Sequence, residues 1–324
     1  MIRRRLLFAL AFALMLMGAP AWAQQPKPMP VIGVLWTHAP LNDPTFQGLR
    51  AGLQEFGYEE GRNIRFEVRT AAGQVDQLQR LAEELVHLKS DVIVVANTAA
   101  VRAAYQATHS TPIVMTGFTS DPVSIGVAES FARPGGNVTG IYSLPPELDG
   151  KRLEILKEAL PDVSRVAVFW DAFSRSQLSE VQRAAHSLGV RLQLIEVRGP
   201  QDLETAFKDA KRKKAGAVML LWSPVFYVHD SKIATLGFDA KLPTVSALNT
   251  AVKAGTFISY GADVVDNFRR AAYFVDRLLK GAKASELPIE QPTKFRLVIN
   301  LKTAKALGIT IPESILQRAD EVIR

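Results

Sequence analysis

Residues 91–100 read Asp91-Val-Ile-Val-Val-Ala-Asn-Thr-Ala-Ala100. The apolar run in this stretch is typical of a strand that is buried on both faces of a parallel sheet. The sequence then predicts a helix from about Thr98 to Thr108, so the strand runs directly into a helix. A strand followed at once by a helix is the repeating unit of an α/β layer.

The same alternation of strand and helix extends along the chain in both directions. Further strands are predicted at 31–36, 64–69 and 113–117, and again, after a helix at 145–160, at 165–170, 191–197, 217–222, 244–247, 256–260 and 295–299. Asp43 and Pro44 predict the start of the first helix, as an N-cap followed by proline at the first helical position. The predicted fold class is therefore α/β, with parallel crossovers and two lobes of similar plan joined by several crossings.

Length and composition agree with two globular domains. The chain has 324 residues, of which 48% are hydrophobic and 22% are charged, and this excludes a largely disordered or coiled-coil protein. It contains no cysteine, so it has no disulfide, thiolate metal site, cysteine nucleophile or lipidation cysteine. The net charge is +7, but it falls to +4 without the arginines of the first segment, and it does not indicate a nucleic-acid partner.

The N-terminus has the order of a secretory signal. Arg3, Arg4 and Arg5 precede an apolar run from Leu6 to Met17, and Ala21-Trp-Ala23 is an A-x-A cleavage pattern. That run is shorter than the ~20 residues that span a bilayer. We therefore expect a signal peptide at 1–23, a flexible leader at 24–30, and a mature chain that is not inserted in the membrane. Export without a lipidation cysteine predicts a periplasmic protein that is not a lipoprotein.

The sequence lacks the common catalytic motifs. It has no nucleophile elbow, Walker A loop or H-E-x-x-H, and no G-x-G-x-x-G follows its first strand. The five histidines are isolated from one another and have no metal-ligand spacing. The prediction is that the protein is not an enzyme and uses neither a metal nor a cofactor, although folding could still assemble a catalytic group from distant residues.

Polar and aromatic residues follow the predicted strands, where ligands bind in open parallel sheets. The candidate ligand-binding residues are Trp36, Thr37, His38, Asn97, Thr98, Ala99, Thr119, Asp121, Tyr142, Trp170, Asp171, Trp222, Ser223, Asn249 and Tyr260. The three tryptophans of this set all fall at the last position of a predicted strand, where they could grip a ligand face. The alternative is that these rings only pack at the rim of the sheet.

The same residues suggest how a small zwitterion or carboxylate could be held. The Thr98 hydroxyl and the N–H groups of Ala99 and Ala100 could bind an anion at the helix entrance. Asp121 and Asp171 could each pair with a ligand ammonium. The alternative is a local role for each, with Thr98 as an ordinary N-cap, Asp121 as a turn former and Asp171 as a helix cap.

Several motifs resemble those of the TrpX-like substrate-binding proteins of ABC transporters. They are Ile32-Gly-Val-Leu, Gly48-Leu-Arg-Ala-Gly-Leu-Gln-Glu-Phe-Gly-Tyr58, Glu60-Gly-Arg-Asn63, Pro134-Gly-Gly-Asn-Val-Thr-Gly140, Ser259-Tyr-Gly261 and Leu297-Val-Ile-Asn-Leu-Lys-Thr-Ala-Lys-Ala-Leu-Gly308. The resemblance implies a type I periplasmic binding protein, with two Rossmann-like lobes that close on a ligand about a hinge. The family often has Tyr-Asn where Trp170-Asp171 stands and Thr-Asp where Trp222-Ser223 stands, so the resemblance does not determine the substrate of this chain.

The leading hypothesis is a periplasmic substrate-binding component of an ABC importer. It would be a monomer that captures a small solute, such as an amino acid or an aromatic or carboxylate compound, for an inner-membrane ABC permease. Its first lobe would comprise residues 31–140 plus 262–293, and its second lobe residues 141–261 plus 294–324. Two alternatives stay open: a periplasmic α/β enzyme acting on a small anionic substrate, and a sensing domain that presents its ligand to a receptor.

Overall fold

The computed structural model describes residues 29–37, 43–118, 120–143, 147–292 and 295–324. The predicted signal peptide and most of the predicted leader lie outside the described residues. Within the part of the chain that is described, no helix combines the length and the apolar character needed to cross a membrane.

The first lobe is built on a sheet of five parallel strands. The strands are β1 (Val31–Trp36), β2 (Arg65–Thr70), β3 (Val92–Asn97), β4 (Ile113–Phe118) and β5 (Val138–Gly140). They lie in the order β2-β1-β3-β4-β5. The helices between them are α1 (Pro44–Glu55), α2 (Leu78–His87) and α3 (Thr98–Ala107). All six residues of β1 are buried, because helices cover both faces of the sheet.

The starts of α1 and α3 follow from short polar caps. Asp43 is the N-cap of α1 and its side chain accepts a hydrogen bond from the Thr45 N–H at 2.8 Å, while Pro44 occupies the first helical position. This start is the one that the sequence predicts. At α3 the cap is Asn97, whose side chain accepts from the Ala100 N–H at 3.0 Å. The sequence therefore predicted the beginning of α3 correctly, but the capping residue is one position earlier than Thr98.

The second lobe has a sheet of seven strands. They are β6 (Arg165–Trp170), β7 (Arg191–Glu196), β8 (Ala217–Leu220), β9 (Thr244–Ser246), β10 (Ile258–Ala262), β11 (Phe295–Asn300) and β12 (Glu321–Ile323). Their order is β12-β11-β10-β9-β8-β6-β7. All pairs are parallel except β10 with β11, which is antiparallel, so this sheet is mixed and not wholly parallel as expected.

Nine helices of the described chain follow α3. They are α4 (Glu147–Ala159), α5 (Leu178–Leu188), α6 (Leu203–Arg212), α7 (Pro224–Val228), α8 (Asp230–Ala240), α9 (Asn249–Ala254), α10 (Val264–Leu279), α11 (Leu301–Ala306) and α12 (Glu313–Leu316). Gly189 ends α5 in the left-handed conformation, with φ 64°.

The chain passes between the two sheets three times. It leaves the first sheet after Gly140, returns after Ala262, and enters the second sheet again at Phe295. On its return it forms α10, which packs on α1 and covers one face of the first sheet. The two helices approach closely at Gly52, where an added Cβ would lie 2.3 Å from the Arg269 carbonyl oxygen. The residue boundaries expected for the two lobes stay a prediction.

Candidate functional site

A narrow cavity of about 60 Å³ lies between the carboxyl ends of the two sheets. The first lobe contributes Trp36, Thr37 and Asn97 to its wall, and the second contributes Trp222, Pro224 and Tyr227. Val264 and Phe268 of α10 also line it. We call this space the interlobe cavity. Of the residues predicted from the sequence, it brings together Trp36, Thr37, Asn97 and Trp222.

Trp36 forms the floor of the interlobe cavity and is only 1% exposed. Its ring meets Phe46 edge-on, with the centroids 5.4 Å apart, and Phe268 in the same way at 5.8 Å. This packing fixes the orientation of the indole. The indole Nε1 is buried and has no hydrogen-bond partner in the described part of the chain. Trp36 therefore offers a rigid aromatic face and an unused donor.

Thr37 and Asn97 join the ends of the neighbouring strands β1 and β3. The Asn97 side-chain Nδ2 donates to the Thr37 Oγ1 at 2.7 Å, while the Asn97 Oδ1 caps α3. Both side chains are buried. Asn97 is held by these two bonds, so it presents a fixed polar group to the cavity.

The anion site expected at Thr98 needs correction. The Thr98 hydroxyl accepts from the Ser120 N–H at 2.7 Å and donates to the Ser120 Oγ at 3.1 Å. The Ala100 N–H already donates to Asn97. Ala99 is half-buried and packs against the core of the first lobe. Two of the three groups expected to hold an anion are thus engaged within the lobe.

Asp171 and Ser223 contact each other in the second lobe, although 52 residues separate them. The Ser223 hydroxyl donates to the Asp171 Oδ2 and accepts from the Val225 N–H, which makes it the cap of α7. The Asp171 Oδ1 accepts from the N–H groups of Phe173 and Ser174, both at 3.0 Å. Because Asp171 is 3% exposed and its oxygens are used locally, the geometry agrees with the capping alternative.

The other two tryptophans occupy different environments. Trp222 lines the interlobe cavity, but β8 ends at Leu220, so Trp222 is two residues past the strand and not at its last position. Its backbone N–H and carbonyl are both hydrogen-bonded to the Gln177 side chain, at 3.0 and 2.9 Å. Trp170 does end β6, but it does not line the cavity, and the Arg175 guanidinium covers its ring at 4.9 Å.

Tyr142 and Asp121 also lie outside the wall of the interlobe cavity. Tyr142 is buried against Phe131 with the ring centroids 5.5 Å apart, and burial raises the pKa of its hydroxyl to about 12. Asp121 is half-buried, and its Oδ1 accepts from the Val123 N–H at 2.8 Å, which is the turn-forming alternative. His38 and Thr119 lie outside the described residues.

Two predicted residues of the second lobe also lie outside the wall of the interlobe cavity. Asn249 begins α9, and its Oδ1 accepts from the Ser259 hydroxyl at 2.9 Å. Asn249 lines a smaller space of about 30 Å³ that shares Thr45, Tyr227 and Val264 with the interlobe cavity. The Tyr260 ring packs on Phe295 with the centroids 6.1 Å apart.

The sequence reasoning missed a contact between the lobes. The Tyr227 hydroxyl donates to the Asp43 Oδ2 at 2.7 Å, across 184 residues of sequence. Burial and the nearby Asp43 charge raise the pKa of Tyr227, so its phenol keeps its proton. Asp43 was predicted only as a helix cap, and the Ser223-Pro224 helix start was the one signal that could have drawn attention to Tyr227.

The architecture and the cavity between strand ends correspond to a known family. The family model for ABC transporter substrate binding proteins matches residues 32–323. The chain belongs to this family. As a substrate-binding protein it is similar to the tyrosine-binding protein of Clostridioides difficile (strain R20291), with 26% identity over 273 residues that cover 83% of this chain and 78% of the relative.

Solved structures of similar proteins share the fold. A conserved domain protein from Vibrio cholerae O1 biovar El Tor is 29% identical to this substrate-binding protein, with a TM-score of 0.84. An ABC domain from Streptococcus pneumonia in complex with L-Trp is 25% identical, with a TM-score of 0.83. Each match covers 91% of this chain and 99% of the other. The two-lobe α/β architecture predicted from the sequence is confirmed.

Proposed function

We infer that this substrate-binding protein captures a small aromatic compound of the amino-acid class and delivers it to an inner-membrane ABC permease. The observation that carries the proposal is the aromatic wall of the interlobe cavity, to which Trp36, Trp222, Tyr227 and Phe268 contribute. Aromatic rings favour the flat faces of an aromatic ligand, and each such contact adds about 0.5–1.5 kcal/mol beyond the buried area. The tyrosine-binding and L-Trp-bound relatives support the same ligand class.

The size of the interlobe cavity supports a binding cycle with lobe movement. Small-molecule sites usually measure about 300–1,000 Å³, whereas this cavity measures about 60 Å³. An aromatic amino acid can therefore enter only if the lobes separate and the aromatic side chains move apart. The three chain crossings are the segments that would act as the hinge.

The remaining parts of the proposal concern the place and state of the protein. Relatives in this family bind substrates, and a binding protein without catalytic activity fits the absence of catalytic motifs in the sequence. The proposal includes removal of residues 1–23 on export to the periplasm, and a monomeric mature chain. The intact mass of the protein recovered from the periplasm tests both the cleavage after Ala23 and the absence of a lipid.

Isothermal calorimetry tests the ligand class. The panel contains L-Trp, L-Tyr and L-Phe, with L-Leu and D-allose as compounds that lack an aromatic ring. We expect binding of at least one aromatic amino acid, and weaker binding in Trp222→Leu by about tenfold, because a stacking ring is lost. Trp170→Leu is the matched control and should bind as the wild type does. Binding of only the non-aromatic compounds would refute the proposal.

A further inference from the structure

Asp43 carries a buried charge beside the interlobe cavity. Its carboxylate belongs to a residue that is 7% exposed, and it accepts hydrogen bonds from the Thr45 N–H at 2.8 Å, the Thr45 hydroxyl and the Tyr227 hydroxyl at 2.7 Å. Thr45 and Tyr227 both line the interlobe cavity. These donors are all neutral, and no ion pair of Asp43 occurs in the described part of the chain.

A buried carboxylate in such surroundings favours a cation. Removing a charge from water is costly unless an opposite charge and hydrogen bonds compensate for it. A carboxylate can accept about four hydrogen bonds, so Asp43 has capacity for one more donor. Among the described residues, no Lys, Arg or His lines the interlobe cavity, so none of them compensates for Asp43 from within it, and a cation carried by the ligand would do so.

The aromatic wall reinforces this preference. The faces of Trp and Tyr rings attract cations, most strongly where water is excluded. Trp36, Trp222 and Tyr227 line the cavity, and so does Thr45, which together with Tyr227 donates hydrogen bonds to Asp43. Tyr227 reaches Asp43 from the opposite lobe, so closure of the lobes brings an aromatic ring and a hydroxyl to the edge of the carboxylate.

We propose that Asp43, together with the Tyr227 hydroxyl, forms the subsite for the ligand's ammonium group. The inference rests on the proposed function and makes it more specific. The protein selects aromatic compounds that carry a primary amine over aromatic acids of the same skeleton without one. Asp43 then determines ligand specificity in addition to capping α1. The sequence predicted only its capping role, and Asp43 was not among the candidate ligand-binding residues.

Two pairs of ligands that differ only in the amine test the inference. They are L-Trp with indole-3-propionate, and L-Tyr with 3-(4-hydroxyphenyl)propionate, measured by calorimetry at pH 8. In at least one pair, the wild type should bind the ligand that carries the amine at least about 30-fold more tightly than the ligand that lacks it, as expected for a buried charge pair.

The variant Asp43→Asn removes the charge of this side chain but keeps its ability to cap α1. Asn caps a helix as well as Asp does, so this variant should melt like the wild type while it loses most of the preference for the amine. Asp171→Asn is the matched control, because Asp171 is also a buried carboxylate with neutral donors, but its donors Phe173, Ser174 and Ser223 do not line the cavity, as the Asp43 donors do. It should keep the preference. Tyr227→Phe should lower the affinity for both ligands of a pair and keep most of the preference for the amine.

Each outcome decides between the inference and the proposed function. If the wild type binds the two ligands equally in every pair that it binds, the ammonium subsite is wrong and the proposed function stands. If Asp43→Asn and Asp171→Asn lose the preference for the amine equally, the preference comes from the overall negative charge near the cavity. The assignment of the ammonium subsite to Asp43 is then overturned. Should Asp43→Asn fail to fold, the wild-type comparison still decides, since equal affinities refute the subsite. Binding of neither L-Phe nor any of the four compounds would overturn both proposals.

Discussion

Arg152→Met should destabilise the second lobe by about 4 kcal/mol at pH 7. Arg152 is fully buried in α4 and forms an ion pair with Asp149, which is also fully buried. Its Nε donates to the Tyr260 carbonyl at 2.7 Å, which ties α4 to the end of β10. Removal of the guanidinium leaves the Asp149 carboxyl in the interior without a cation. Breaking a buried ion pair in this way costs about 3–5 kcal/mol.

Protonation of Asp149 sets an upper limit to the part of this cost that comes from its charge. A neutral carboxyl avoids the unpaired charge, and the pKa of Asp149 in the folded wild type, which burial raises to about 6, lies about 1 unit below pH 7. At about 1.4 kcal/mol per unit, the charge of Asp149 adds at most about 1.4 kcal/mol to the cost at pH 7 and almost nothing at pH 5. The destabilisation of Arg152→Met should therefore shrink by about a third when the pH is lowered from 7 to 5.

Urea unfolding followed by circular dichroism at both pH values measures these effects. The double variant Asp149→Leu, Arg152→Met should recover most of the lost stability, because replacing a whole buried pair by apolar residues is often close to neutral. Arg212→Met removes an ion pair with Asp209 in which the two side chains are 72% and 37% exposed, and it should cost less than about 1 kcal/mol. A loss below about 1 kcal/mol in Arg152→Met, or a double variant as unstable as the single one, would refute the reasoning.

Three further predictions concern pH, packing and lobe movement. Burial raises the pKa of Asp149 to about 6, so the stability that its protonated form contributes is complete below about pH 4 and is lost as the pH rises through 6. Asp149→Asn should remove this fall in stability from the pH dependence of thermal unfolding. Gly52→Ala should lose about 1–3 kcal/mol in urea unfolding because its Cβ would lie 2.3 Å from the Arg269 carbonyl oxygen, whereas Gly136→Ala, with its nearest neighbour at 3.9 Å, should change little. Saturating L-Trp should reduce the radius of gyration in X-ray scattering, and an identical profile with and without bound ligand would argue against closure of the lobes.

The alternation of strands and helices could be predicted because it depends on local pattern. Apolar runs between turn residues predicted β1, β3 and β4, alternation of apolar and polar residues predicted β2, and Asp43-Pro44 predicted the start of α1. The antiparallel β11 could not be predicted in the same way. Its direction depends on where the chain returns from the first lobe, and no local signal in the sequence records that path.

The candidate site could be predicted only in part. Trp36, Thr37 and Asn97 lie in the cavity wall because they directly follow or end buried strands whose positions were predictable. Asp171 is engaged elsewhere because short polar side chains readily bond to backbone N–H groups two or three residues later in the chain. Thr98 is engaged by Ser120, which is 22 residues away, and no local pattern predicts that contact.

The contact between Asp43 and Tyr227 could not be foreseen. It joins residues 184 positions apart that belong to different lobes. Neither residue stands out locally, since Asp43 reads as an ordinary cap and Tyr227 as part of a short helix. Contacts of this kind depend on how the two sheets face each other, and a single sequence does not contain that information in local form.

The packing of α10 on α1 affects the order in which the protein can fold. The side chains of Phe46, Leu49 and Leu53 are covered by a helix that ends at Leu279, more than 220 residues later in the chain. During synthesis, the first lobe therefore stays incomplete until nearly the whole polypeptide exists. Such non-local contacts slow folding, because a long loop must close before the contact forms. An N-terminal fragment that stops at Gly140 would leave this apolar face in water, whereas a circular permutant that joins α10 to the N-terminal segment would cover it.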